Sequence, residues 1–146
     1  MSWKALLGVC VSVAMVGCAS TVPLQRTQVD ALSRDAAPTE VERLLGKATA
    51  YAQHEVRAGD KAYLARHFLL QTGGRQEMTV VCTPNCLPIM ITVPVTSEYV
   101  LIQTVPERAL LAWGTLEELS KDADPLVSGL MPAIKAKLQA SKEQKK

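Results

Sequence analysis

The stretch Lys61-Ala-Tyr-Leu-Ala-Arg-His-Phe-Leu-Leu-Gln71-Thr-Gly-Gly-Arg75 decides the fold class. Side chains of a strand alternate between two faces, so Leu64, Phe68 and Leu70 fall on one side and Tyr63, Ala65, His67 and Leu69 on the other. Thr72-Gly73-Gly74-Arg75 then reads as a hairpin turn. Before this run, Tyr51 to Val56 reads as a strand joined through the turn Arg57-Ala58-Gly59-Asp60. After it, Glu77 to Cys82 reads as the next strand. Leu87 to Val95 is rich in Val and Ile, but Pro88 and Pro94 have no N–H to give a ladder, which predicts an edge or broken strand. Glu98 to Thr104 and Arg108 to Trp113 complete an antiparallel meander of four to five strands.

Helical signals flank the meander. Thr27 to Arg34 has room for a short helix through Val29 and Leu32. In Pro38-Thr39-Glu40-Val41-Glu42-Arg43-Leu44-Leu45-Gly46, Thr39 and Glu42 have capping-box spacing, or Pro38 takes the first helical position. Val41, Leu44 and Leu45 share a face, and Gly46 suits a stop. Thr115-Leu-Glu-Glu118 repeats the capping-box spacing. Asp124-Pro125 opens a longer stripe of Val127, Leu130, Met131, Ile134 and Leu138, with Pro132 expected to kink or split it near Gly129. The fold class expected is α+β: short N-terminal helices, an antiparallel sheet of four to five strands with one face covered, and a C-terminal amphipathic helix.

The first twenty residues bear on compartment. Met1 to Lys4 carries one positive charge and no acid, and Ala5 to Val16 is an uncharged apolar run too short to span a bilayer. Met15-Val16-Gly17-Cys18-Ala19 follows. This junction resembles the lipobox of bacterial lipoproteins, with Met15 where Leu is usual. The resemblance implies cleavage before Cys18 and acylation of Cys18. Ala19, in place of the Asp of many inner-membrane-retained lipoproteins, implies the periplasmic face of the outer membrane. The expected organisation is a signal peptide at 1–17, a lipid-anchored tether at 18–34, one α+β domain at 35–142 and a basic tail at 143–146.

Composition excludes several classes. Sixteen basic residues against 14 acidic give a net charge of +2, with 4% aromatics, so no basic stripe points to nucleic acid. Five Lys and one Glu lie in Lys135 to Lys146. There they complement a helix C-terminus or meet anionic headgroups. If Cys10 leaves with the signal and Cys18 takes lipid, Cys82 and Cys86 remain as an even pair. Pro84 and Asn85 favour a turn that closes them as a disulfide. The competing chemistry is a Cys-x-x-x-Cys dithiol or copper(I) site aided by His54 or His67, the only two histidines. No spacing fits zinc, and no metal or cofactor is expected. There is no Gly-x-Ser-x-Gly elbow, and Gly73-Gly74 lacks a phosphate-loop pattern. Glu117, Glu118, Asp122 and Asp124 read as caps and a solvated face. No enzyme is expected.

Val41-x-x-x-Leu45-Gly46, followed by the meander and preceded by the lipobox, resembles the SmpA/OmlA (BamE-like) group of small outer-membrane lipoproteins over roughly Asp35 to Trp113. The group's Gly-Met-Thr lead-in is Asp35-Ala36-Ala37 here. The resemblance implies a helix before a short antiparallel sheet and a role in the envelope, and no individual binding residue. The expected function is therefore a lipid-anchored, periplasm-facing, non-catalytic binding or accessory protein, in outer-membrane assembly or integrity. Its partners would be the membrane and another envelope protein. The alternatives are a periplasmic thiol-redox or copper-handling lipoprotein using Cys82 and Cys86, and a binder of small apolar ligands.

Overall fold

The structure, a computed structural model, describes residues 20–145. The signal segment and Cys18 lie outside the described residues. One sheet holds four antiparallel strands in sequence order: β1 (Ala52–Ala58), β2 (Lys61–Cys82), β3 (Cys86–Val105) and β4 (Leu110–Gly114). Helices α1 (Arg26–Asp30) and α2 (Pro38–Leu45) precede it, and α3 (Leu116–Ser120) and α4 (Pro125–Glu143) follow. Pro38 opens α2, and Gly46 ends it at φ 56°, where a side chain would be strained. Thr115 and Glu118 form a reciprocal capping box on α3, and the Asp124 carboxylate accepts from the Leu126 N–H at 2.9 Å to start α4.

The two strand faces found in the sequence are both buried. On one, Phe68, Leu70, Tyr99 and Leu101 pack against Leu24, Val29, Val41 and Leu45. On the other, Tyr63, Ala65, Val100 and Ile102 pack against Leu119, Val127, Leu130, Met131 and Ile134. The sheet is thus the middle layer of three, which corrects the expectation of a single covered face. The cause is the segment before α2. Leu24 is fully buried and forms a parallel bridge to Leu70, donating its N–H to the Leu69 carbonyl at 2.7 Å. Val22 bonds Thr49 through both its N–H and its carbonyl. The expected tether over 18–34 therefore holds core residues from Leu24 onward, and the domain begins well before residue 35.

Two further expectations change. Thr72-Gly73-Gly74-Arg75 is not a turn: β2 runs through it, with a one-residue irregularity between Gln71 and Gly73. Gly73 pairs with Val95 and Gly74 with Pro94, in the ladder. A Cβ at Gly74 would stand 2.7 Å from Thr92 Cγ2, so glycine serves close packing in a twisted ribbon rather than chain reversal. The reversal falls instead at Thr83-Pro84-Asn85. Of the two readings of Leu87 to Val95, edge or broken, the edge holds: β3 is unbroken there and pairs with β2 alone. Pairing is regular from Gly73–Val95 to Cys82–Cys86, so each proline sits where a ladder N–H is not needed. Likewise α4 is one helix through Pro132, which its exposed flank tolerates, rather than split at Gly129.

Candidate functional site

Merging the expected strands makes β2 and β3 outrun their neighbours. β1 pairs with β2 only as far as His67, and β4 with β3 only as far back as Val100. Beyond Gln71 and Thr96 the two strands form a free two-stranded arm. At about 3.3 Å per residue, Gly73 to Cys82 gives it a reach of ~30 Å. From Met78 to Ser97 the chain has no charged residue. Eight of the nine large exposed hydrophobic side chains among the described residues lie on this arm, Met78 being 70% exposed, Leu87 63% and Val80 60%. Single exposed aliphatics are ordinary on a surface, but a contiguous set marks a site that binds something.

Side-chain alternation sorts the arm into two faces. Leu87, Ile89, Ile91, Val93 and Val95 share one face of β3, joined across the ladder by Val81 and Thr79 and, nearer the body, by Glu77 and Arg75. Pro88, Met90, Thr92 and Pro94 share the other, with Val80 and Met78. Charge returns only toward the body. Arg75 and Glu77 pair with each other, and Glu98 pairs with Lys142 of α4 at 2.6 Å. Trp113 and Tyr99 lie in or against the body core, so the arm presents aliphatic and thioether groups and no aromatic ring.

The Cys82 and Cys86 sulfurs are 2.01 Å apart at the arm's tip, consistent with the expected disulfide. Both residues are exposed. His67 lies fifteen residues back along the same strand, about 50 Å at strand rise, so the structure does not bring either histidine to the cysteines. Among the described residues no group of three His, Cys, Asp or Glu side chains is placed to hold a metal ion.

A second cluster forms from residues that look isolated in the sequence. His67 is fully buried, and His54 lies edge-on to it with ring centroids 5.4 Å apart. Tyr51 is 6.0 Å from His67. Among the described residues neither His67 nitrogen has a hydrogen-bond partner, nor do His54 Nε2 and the Tyr51 hydroxyl. Burial first, then His54, lower the His67 pKa to about 4 against the opposing pull of Glu98. Burial, and next Lys137, lower that of His54. Burial and the Glu98 carboxylate raise Tyr51 to about 12. All three rings are therefore neutral near pH 7. Beside them, Glu98, Leu116, Lys135, Leu138 and Lys142 line a cleft of about 470 Å³. The Lys142–Glu98 ion pair stands at its wall.

The carboxylates near α3 act locally. Glu117 pairs with Lys121 at 2.6 Å, and Asp122 and Asp124 face Arg34 at 3.6 and 3.8 Å. Sequence reading missed the arm because it placed a turn at Gly73-Gly74. The alternation of Leu87, Ile89, Ile91, Val93 and Val95 was the available signal. Scans against family models, curated proteins and solved structures each found no match for this chain.

Proposed function

We infer that this chain is a lipid-anchored, periplasm-facing envelope protein that works by binding and not by catalysis, in assembly or upkeep of the outer membrane. The lipobox-like Met15-Val16-Gly17-Cys18 supports the anchor. No helix among the described residues is long and apolar enough to cross a membrane. The observation that carries the binding role is the arm: a hairpin with no charge from Met78 to Ser97, standing clear of a body whose own two cores are covered. Its aliphatic face, Leu87 to Val95, fits an apolar surface of another envelope protein. Burying one Leu, Ile or Val there contributes ~1.5–3 kcal/mol each, enough for specific docking once several are covered.

A photo-crosslinking residue at Ile89, in intact cells, should recover one stoichiometric partner, and the same residue at exposed Lys61 should not. A background profile at both positions would sink the reading. Intact mass of membrane-extracted protein should show loss of residues 1–17, acylation at Cys18 and two hydrogens missing at Cys82–Cys86. The thiol reading retains one supporting observation, the exposed disulfide at the tip of the arm. It requires that the pair be reducible at periplasmic potentials, so a redox titration that leaves the bond intact under strongly reducing conditions ends it.

A further inference from the structure

The outer edge of β2 is covered for most of its length and then abruptly bare. β1 pairs with it from Lys61 to His67, and Leu24 adds to it at Leu69 and Gln71, accepting from the Gln71 N–H at 2.9 Å. From Gly73 to Cys82 none of the described residues pairs with this edge. In an antiparallel ladder, alternate residues turn their N–H and C=O toward the partner and away from it. Pro88 and Pro94 have the same parity, and the ladder beside them is regular, so both face away from β2. Two of the five outward positions on the β3 edge, 86, 88, 90, 92 and 94, thus lack a donor, which blocks strand addition there. The outward positions of β2 are Gly74, Gln76, Met78, Val80 and Cys82. None is proline or charged, and each offers a free N–H and C=O.

The arm as an isolated ribbon does not suit the interior of a bilayer. Every unpaired N–H and C=O taken into hydrocarbon costs several kcal/mol, which outweighs the gain from the side chains. The bare edge calls for a strand, and it is self-complementary. Paired antiparallel to itself about Met78, it sets Gln76 against Val80 and Gly74 against Cys82. Glu77 then faces Thr79, and Arg75 faces Val81. The tip turn stops short of the Leu24 bridge. The neighbouring register, centred on Glu77, places two carboxylates directly opposite and is disfavoured. We propose that two copies of this chain join arm to arm through the β2 edges, Gly73 to Cys82, forming a four-stranded antiparallel ribbon centred on Met78. A strand edge alone is smaller than a standard interface, so the association is reversible. The two aliphatic faces come to lie on the same side of the ribbon, with the Arg75–Glu77 pair of each copy between them. This inference does not require acylation of Cys18.

The test uses the full chain. Met78→Cys, oxidised in intact cells, should yield a reducible band of twice the mass. Met90→Cys, on the proline-blocked edge, should not, and a Gln76→Cys, Val80→Cys double variant should crosslink more than either single. In sedimentation of the purified chain, Met78→Pro removes no intra-arm hydrogen bond and should weaken dimerisation at least ten-fold, while Met90→Pro leaves it unchanged. Should Met78→Pro misfold by circular dichroism, Met78→Lys, which sets two cations opposite at the two-fold, should give the same loss. A monomer at all concentrations, crosslinking through Met90→Cys equal to that through Met78→Cys, or a dominant Glu77→Cys self-crosslink would each overturn the proposal. So would a chain that stays monomeric yet pelleted with anionic phosphatidylglycerol vesicles through the arm.

Discussion

His67 shows what one residue can conceal. Its face was legible from the alternation with Tyr63 and Ala65. Its depth was not, because that depends on α4 lying across the sheet. With both ring nitrogens unpaired, the site tolerates the neutral ring and opposes the charged one. The folded pKa, about 4, lies below the ordinary 6.5. The unfolded chain therefore binds the proton first. Stability is full above pH 6.5, falls as pH drops from 6.5 to 4, and levels off below, for a loss of up to about 3 kcal/mol. Urea melts at pH 7 and pH 4.5 should show this drop, and His67→Phe should remove much of it. Glu98, His54 and Lys142 also face the ring, so Glu98→Gln, which takes away the one group favouring protonation, should deepen the drop. Leu24 is the counterpart on the other face. Leu24→Ala should lose ~2–5 kcal/mol at neutral pH, read from the same melts. A mere tether residue would lose nothing measurable.

Among the elements, those governed by local rules were readable and those governed by distant partners were not. The capping box at Thr115 and Glu118 and the Asp124-Pro125 start of α4 depend on groups within three residues of one another, and the structure has them where the sequence put them. The Gly73-Gly74 step misled because glycine relieves two different constraints, a positive φ in a turn and a crowded Cβ in a ladder. Only the position of Thr92 on the opposite strand decides between them. The same ambiguity made two strands of β2 and two of β3, and so hid the arm. Gly74→Ala should strain the ribbon against Thr92 without unfolding the body. The expected result is faster amide exchange from Gly73 to Val95 and an unchanged main melting transition. In α4, Pro132 removes one N–H from the helical ladder, yet the neighbouring Leu130, Met131 and Ile134 anchor both halves on the sheet. Pro132→Ala should restore that donor toward the Ser128 carbonyl and raise the melting temperature, by the equivalent of roughly 1–3 kcal/mol.

As a whole, the molecule divides into a well-packed three-layer body and an extension that contributes little to it. The Cys82–Cys86 ring closes a five-residue loop at the far end of the extension, away from both cores. Replacing both cysteines by serine should leave the body's melting temperature within a degree or two, because so small a loop restricts few unfolded conformations. Any effect should appear as fraying of the tip. The antiparallel sheet with a C-terminal helix was readable from sequence. The third layer was not, since a lone buried leucine before α1 looks like any linker residue until Leu70 is seen beside it.

That early capture of Leu24 sets a short leash. Only five residues lie between it and Cys18, a span of about 20 Å at full extension. With Cys18 acylated, the body would ride close against the lipid headgroups, and the hairpin, at ~30 Å, would reach farther than its own mooring allows the body to drift. Such a molecule is built to touch neighbours lodged in or lying on the same leaflet, not to cross the aqueous gap behind it.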